Sequence, residues 1–393
     1  MDFALSPELE AYGIELRRWG LEKVRPLARQ ADTDHAVPAT AAKVLDTSPV
    51  PLVDRVGDTM PEFVEGTKVQ RLVWAESVMY ADCWLYESMN QGLGHAVVQA
   101  IGTPEQVERW YVPIVTRGGR TGFGLSEPGA GSDTSGLATT ATRDGDAWVI
   151  NGSKMYCSLG AIADYIVVFA TVDKSLGRAG IKAFVVEKET PGLAVIRANE
   201  DKLGLRCWTT SQLAFDQCVI PADNVLGGVD PKSGMPLAKG YGNALSELNL
   251  SRPNVSAFAA GLGRAALELS TKLLSERRAG FTPQRWALIE SELEQMGAAL
   301  ERARALNLRA QWLVDRGRPS RTEASIAKAY GPPVAERIIR RCIQLLGPDG
   351  SSTDLLLEKW YRDVKILDIF EGTGQIMRLL ISRDLMGRDA AAA

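Results

Sequence analysis

Histidine is almost missing from this chain of 393 residues: His35 and His95 are the only two, and they stand far apart. Inventory therefore nearly excludes a Ser-His-Asp relay and a multi-histidine metal centre. The five cysteines (Cys83, Cys157, Cys207, Cys218, Cys342) make no C-x-x-C and no metal-type spacing. Reduced thiols in a cytoplasmic protein are expected, with neither disulfides nor zinc. The longest apolar stretch, around Tyr165–Val172, falls far short of the ~20 residues that cross a bilayer. The opening MDFALSPELEAYG has no basic n-region and no apolar h-region, so no secretory or transit peptide is expected. A net charge of -3 without any Lys/Arg run offers no long-range pull toward nucleic acid or an anionic membrane. Any acid or base must then be a carboxylate, Lys, Tyr or Cys.

With 45% hydrophobic residues the chain can build more than one core. Three textures follow one another. Apolar residues recur at helical spacing from Pro7 to about Gly119, as in Leu9, Tyr12, Leu16 and Trp19. Short β-rich runs split by turn signals follow to about Gly228, and Asn151-Gly152 between AWVI and SKMYC reads as a hairpin turn. Long helical segments return at roughly Gly242–Arg278, Pro283–Arg316, Arg321–Leu346 and Gly374–Leu385. The predicted fold is α+β and multi-domain. It has an all-α domain over 1–120, a central antiparallel β domain of barrel or sandwich type over 121–232, and a C-terminal four-helix bundle over 233–393.

Two stretches could carry chemistry. Gly122–Gly136, GFGLSEPGAGSDTSG, gathers glycines and small hydroxyls whose N–H and O–H groups can hold a pyrophosphate; a plain turn between strands is the alternative. DIFEGTGQIMR places the lone acid Glu371 between an apolar run (Ile366, Leu367, Ile369, Phe370) and a pair of glycines. An apolar setting raises a carboxyl pKa, which suits a general base working near neutral pH; a helix-start acid is the alternative.

LSEPGAGSD resembles the T-E-P-x-A-G-S-D signature of the acyl-CoA dehydrogenase family, flavoproteins that bind FAD. The likeness continues in order through GTPEQVERWYVP, VINGSKMYCS, LAFDQCVIPADNVLG, LSRP, ASIAKAY, YRDVKILDIFEGT and QIMRLLISRDLMG. It implies FAD-dependent α,β-dehydrogenation of an acyl thioester, acyl-CoA or a carrier-protein thioester. Glu371 would be the catalytic base, hydride would pass to flavin N5, and an electron-transferring flavoprotein would accept the electrons. A homotetramer, a dimer of dimers, is implied as well.

Residue by residue, the resemblance sets Phe123, Leu125 and Ser126 along the flavin ring and Gly131 with Ser132 at the pyrophosphate. Tyr156 would cover the ring and Ser158 would bond near N5, while Thr373 and Gln375 would also touch FAD. Arg277, Phe281, Gln344 and Gly347 would meet its adenosine part across a subunit contact. Ser132, Asn249, Arg252, Phe370 and Gly372 would contact substrate. The acyl tail would run along Met89–Ala100, with Gly92 and Gly94 leaving space and His95 adding polarity.

Departures from the family pattern are equally legible. Pro348 stands where a glycine N–H is expected, and the family's glutamine after Arg277 is absent, since Gln284 is out of register. These prompt an alternative, a structural subunit that binds FAD poorly. Another alternative is an oxidase or monooxygenase of the same fold, against which the intact E-G-T argues. Position 251, where some relatives carry the base, is a serine.

Overall fold

The computed structural model describes residues 4–230, 235–237 and 240–387, and of 240–249 the backbone alone. Eight helices precede the first strand: α1 (Pro7–Trp19), α2 (Ala28–Asp34), α3 (Ala41–Leu45), α4 (Thr67–Ala81), α5 (Cys83–Met89), α6 (Gly94–Ile101), the single turn α7 (Pro104–Gln106) and α8 (Val112–Arg117). Their starts obey local chemistry. Ser6 caps α1 by accepting from the Leu9 N–H, with Pro7 at the first helical position, and Thr103 and Gln106 cap α7 reciprocally. From Leu72 to Ala81 every residue of α4 is buried, so it is an interior helix and not an amphipathic surface one.

Among the described residues seven strands form one sheet: β1 (Thr121–Gly124), β2 (Thr140–Asp144), β3 (Ala147–Ser158), β4 (Tyr165–Thr171), β5 (Ile181–Glu187), β6 (Leu193–Arg197) and β7 (Thr210–Pro221). The order is β1-β4-β2-β3-β7-β6, with β5 also on β4. Four of the six described strand pairings are antiparallel, as expected, and two are parallel. β1 runs parallel to β4, pairing Thr121 with Tyr165 through Gly124 with Val168, and β2 meets β4 in parallel at Thr140 and Thr171. β4, buried at every position, is the unbroken apolar run that such a central strand requires.

The hairpin expected at Asn151-Gly152 is corrected. β3 passes straight through this pair, with an irregularity opposite β7 between Ile150 and Gly152, and the turn to β2 lies at Gly145 (φ 53) instead. Asn151 uses its side-chain carbonyl to accept from the Gln217 N–H at 2.8 Å. Gly152 (φ 147) is needed for close packing, because a Cβ there would come within 2.8 Å of the Thr139 Cα.

The C-terminal helices are α9 (Gly240–Glu276), α10 (Pro283–Asp315), α11 (Arg321–Leu346), α12 (Leu357–Ile366) and α13 (Gly374–Leu385). One apolar core joins α1 and α4 to α9, α11 and α12, and two smaller cores line the faces of the sheet. The buried ammonium of Lys359 bridges Asp82 at 2.8 Å and Asp363 at 2.7 Å, pinning α12 to the start of α5. No described helix is long and apolar enough to cross a membrane, and no described cluster of His, Cys, Asp and Glu could hold a metal.

Candidate active site

The turn between α12 and α13 carries Glu371. Its backbone is left-handed (φ 58) and Gly372 follows at φ 92, a pairing that reverses the chain before Thr373 caps α13 by accepting from Ile376 at 3.2 Å. A non-glycine residue held in this region stores strain of about 1–3 kcal/mol and persists only where its surroundings hold it. They do so from two helices. The Ser251 hydroxyl donates to Glu371 Oε2, Arg252 Nε donates to the Glu371 carbonyl at 3.2 Å, and the Lys328 ammonium donates to the Gly372 carbonyl. Arg252 and Lys328 are both buried.

Burial raises the pKa of Glu371, while the Ser251 hydroxyl and then the charges of Arg252 and Lys328 pull the other way. Lys328 is lowered to about 8, chiefly by burial, with Asp368 and Glu371 opposing the fall. The carboxyl is therefore a stronger base than an exposed one, yet its ionised form keeps a donor and two nearby cations.

The apolar setting differs in part from expectation. Ile369 is 49% exposed. Phe370 instead faces Trp208 at 6.4 Å between ring centroids, and Trp208 meets Tyr86 at 4.9 Å and Phe258 at 6.3 Å. This aromatic wall comes from four distant segments and carries no sequence signal beyond the residue types. Trp208 is fixed by donating its indole N–H to the Cys83 carbonyl at 2.9 Å.

A second group lies at the end of β1 and β3. The Met155 N–H donates to the Ser126 carbonyl at 2.9 Å, and the Cys157 thiol donates to the Phe123 carbonyl at 3.3 Å, so Phe123, Ser126, Tyr156 and Ser158 come together. Tyr156 is left-handed (φ 58) and 61% exposed. A bulky aromatic strained and left open in this way fits a planar ring laid against it.

Beyond it the loop presents Gly131 and Ser132 to the outside, with nothing within 4 Å of a Cβ built on Gly129 or Gly131. Its one buried acid turns inward. Glu127 pairs with the fully buried Lys154 at 2.7 Å and accepts from the N–H groups of Ala138 and Thr139 at 2.7 and 3.0 Å. That removes a carboxylate from a face where an anion would sit. Glu127 and Lys154 stand 27 residues apart, a spacing that leaves no local signal in the sequence. The two groups connect through Leu159, whose N–H donates to the Thr209 carbonyl beside Trp208.

The remaining expected residues fall elsewhere. Arg277 pairs with Asp349 at 2.7 Å in an exposed corner that also holds Gly347 (φ 63), while Gln344 accepts from Arg341 and Phe281 packs on Trp286. Leu125 is half-buried against the sheet core, and Gln375 is exposed on the first turn of α13. The side chain of Asn249 lies outside the described residues. Gly92 and Gly94 do not leave space for a ligand: a Cβ on either would strike the β1 backbone, at Thr121 O (1.9 Å) and Gly122 O (2.6 Å). They let α6 sit close to the sheet, and the His95 N–H donates to the Thr121 hydroxyl there.

Two family models match the chain, the acyl-CoA dehydrogenase middle domain over residues 122–218 and the acyl-CoA dehydrogenase C-terminal domain over 238–386. The mitochondrial short-chain specific acyl-CoA dehydrogenase of Rattus norvegicus is 34% identical over 94% of this chain and 88% of its own. The caffeyl-CoA reductase-Etf complex subunit CarC of Acetobacterium woodii is 32% identical over 77% of this chain and 78% of its own. Among solved structures, butyryl-CoA dehydrogenase from Megasphaera elsdenii superposes with a TM-score of 0.86 at 28% identity, covering 98% of this chain and all of that one.

Proposed function

The chain belongs to the acyl-CoA dehydrogenase family, an FAD-dependent oxidoreductase fold, and from that premise we propose that Glu371 is the base that takes the α proton of an acyl thioester. The observation that carries this reading is the geometry of Glu371: a strained, left-handed carboxylate next to an aromatic wall, raised in basicity by burial and held by Ser251 and Arg252.

Each neighbour has a part. Trp208, Tyr86 and Phe370 exclude water around the carboxylate, which sustains its basicity. Arg252 and Lys328 hold the two carbonyls of the turn and so aim the side chain. No described group takes the Glu371 N–H, which stays available to polarise the thioester carbonyl as negative charge builds on the enolate-like transition state. The proton moves from the α carbon to a Glu371 carboxylate oxygen. FAD, when bound, supplies the acceptor for the β hydrogen and its electron pair. Phe123, Ser126, Tyr156 and Ser158 would hold its ring and Gly131 with Ser132 its pyrophosphate.

The similarity to CarC, a subunit named for its complex with Etf, supports an electron-transferring flavoprotein as the onward acceptor. A homotetramer and the three-domain division at 120/121 and 232/233 belong to the same proposal. A second reading, a subunit that retains FAD poorly, is favoured by Arg277, which is already engaged by Asp349, next to a proline without an N–H. Anaerobic titration with acyl-CoAs tests both. The wild type is expected to purify yellow and bleach on substrate, whereas Glu371→Gln stays yellow and does not bleach. Bleaching in that variant would remove Glu371 as base, and a colourless wild type would favour the second reading.

A further inference from the structure

The aromatic wall beside Glu371 ends on an ion pair. Phe370 meets Trp208 at 6.4 Å, Trp208 meets Tyr86 at 4.9 Å, and Tyr86 meets Trp74 at 6.0 Å. Over Trp74, at 5.5 Å from the ring centre, lies the guanidinium of Arg71, which donates to Asp54 at 2.8 Å. Both charged side chains are partly open, Arg71 by 36% and Asp54 by 18%. Asp54 comes from the loop between α3 and α4.

A plain alkyl tail gains nothing from such an end. Covering a charged pair with methylene groups strips it of water and returns no hydrogen bond. Arg71 still has donors to offer, because the contact to Asp54 engages one of its terminal nitrogens and a guanidinium carries five N–H groups. The phenol of Tyr86 makes no hydrogen bond among the described residues. Its pKa is pushed up by burial and then by Asp54, with Glu371 adding to the rise, so in the neutral range it is a donor standing between two carboxylates. Two donors within electrostatic reach of each other, where the net charge of the ion pair is zero, suit an acceptor without charge. A tail carboxylate would face Asp54, and a tail ammonium would face Arg71.

We propose that Arg71 and Tyr86, with Asp54 setting the charge, select acyl thioesters whose tail carries a neutral hydrogen-bond-accepting oxygen a few atoms beyond the reacting carbons. The proposal rests on the reading of Glu371 as base, which places the thioester end at Phe370 and the tail along the wall.

The test compares kcat/KM for 4-methoxybutanoyl-CoA and hexanoyl-CoA, tails of equal length, with pentanedioyl-CoA as a charged probe. The wild type is expected to prefer the ether by roughly tenfold, the factor of one hydrogen bond to a charged donor. In Arg71→Met that ratio falls to near one. Tyr86→Phe keeps the ring packing and lowers the ratio in part, and retained flavin absorbance shows that each variant has folded. A wild-type ratio at or below one overturns the proposal, as does a ratio unchanged in both variants. Preference for pentanedioyl-CoA over the ether would overturn the neutral-tail assignment. If none of the three esters is turned over or bleaches the flavin, the proposed function fails, and this inference falls with it.

Discussion

Ser251 donates its hydroxyl to Oε2 of Glu371, across 120 residues of sequence. The position where some relatives carry their base is, in this chain, a hydrogen-bond donor to the glutamate that we assign to that role.

Ser251→Ala should move the pH profile. Activity needs ionised Glu371, so it is present above the carboxyl pKa and lost as pH falls through it. Burial has already raised that pKa, and the serine donor, which favours the ionised form, lowers it. Removing the hydroxyl, which favours the ionised form, should shift the acid limb of kcat/KM upward. The plateau at higher pH should change little. An unmoved acid limb would dissociate Ser251 from the ionisation.

Breaking the Glu127–Lys154 pair should loosen the loop that we propose to face the cofactor. Glu127→Ala leaves Lys154 buried with only the Leu125 carbonyl, at 3.1 Å, as a described partner and frees the N–H groups of Ala138 and Thr139. A loss of about 3–5 kcal/mol in unfolding free energy is expected, since an uncompensated buried charge costs that much. Lys154→Met should cost less, because Glu127 keeps the Ala138 and Thr139 donors. Urea unfolding of the two variants checks the order.

Gly152→Ala is expected to lower stability by roughly 1–3 kcal/mol, from overpacking against Thr139 and a φ of 147 that alanine resists. Thermal unfolding measures the loss, and an unchanged melting temperature would contradict the close packing against Thr139.

Asp349→Asn should leave stability almost unchanged, because the Arg277–Asp349 pair is exposed and such pairs contribute about 0–1 kcal/mol. Released from that partner, Arg277 should meet the diphosphate of FAD more readily. Titration of the apoprotein should then show tighter FAD binding than in the wild type, and weaker binding would remove Arg277 from the cofactor site.

Some of this molecule could be read from residue order alone. The spans of α11 and α13, the acid before two glycines and the motif series all rest on local signals: helical period, caps and fixed spacing. Other features depend on which segments meet. Asn151-Gly152 has the chemistry of a turn, yet Gln217 and Thr139 make it the middle of a strand. Gly92 and Gly94 resemble space left for a ligand, yet β1 occupies it. Sequence determined the local setting of Glu371, an acid between apolar residues and a pair of glycines. Only the tertiary structure decided what surrounds that acid, since Ser251, Trp208, Tyr86 and the Arg71–Asp54 pair reach it through contacts between distant segments, whose cost and reward no local pattern records.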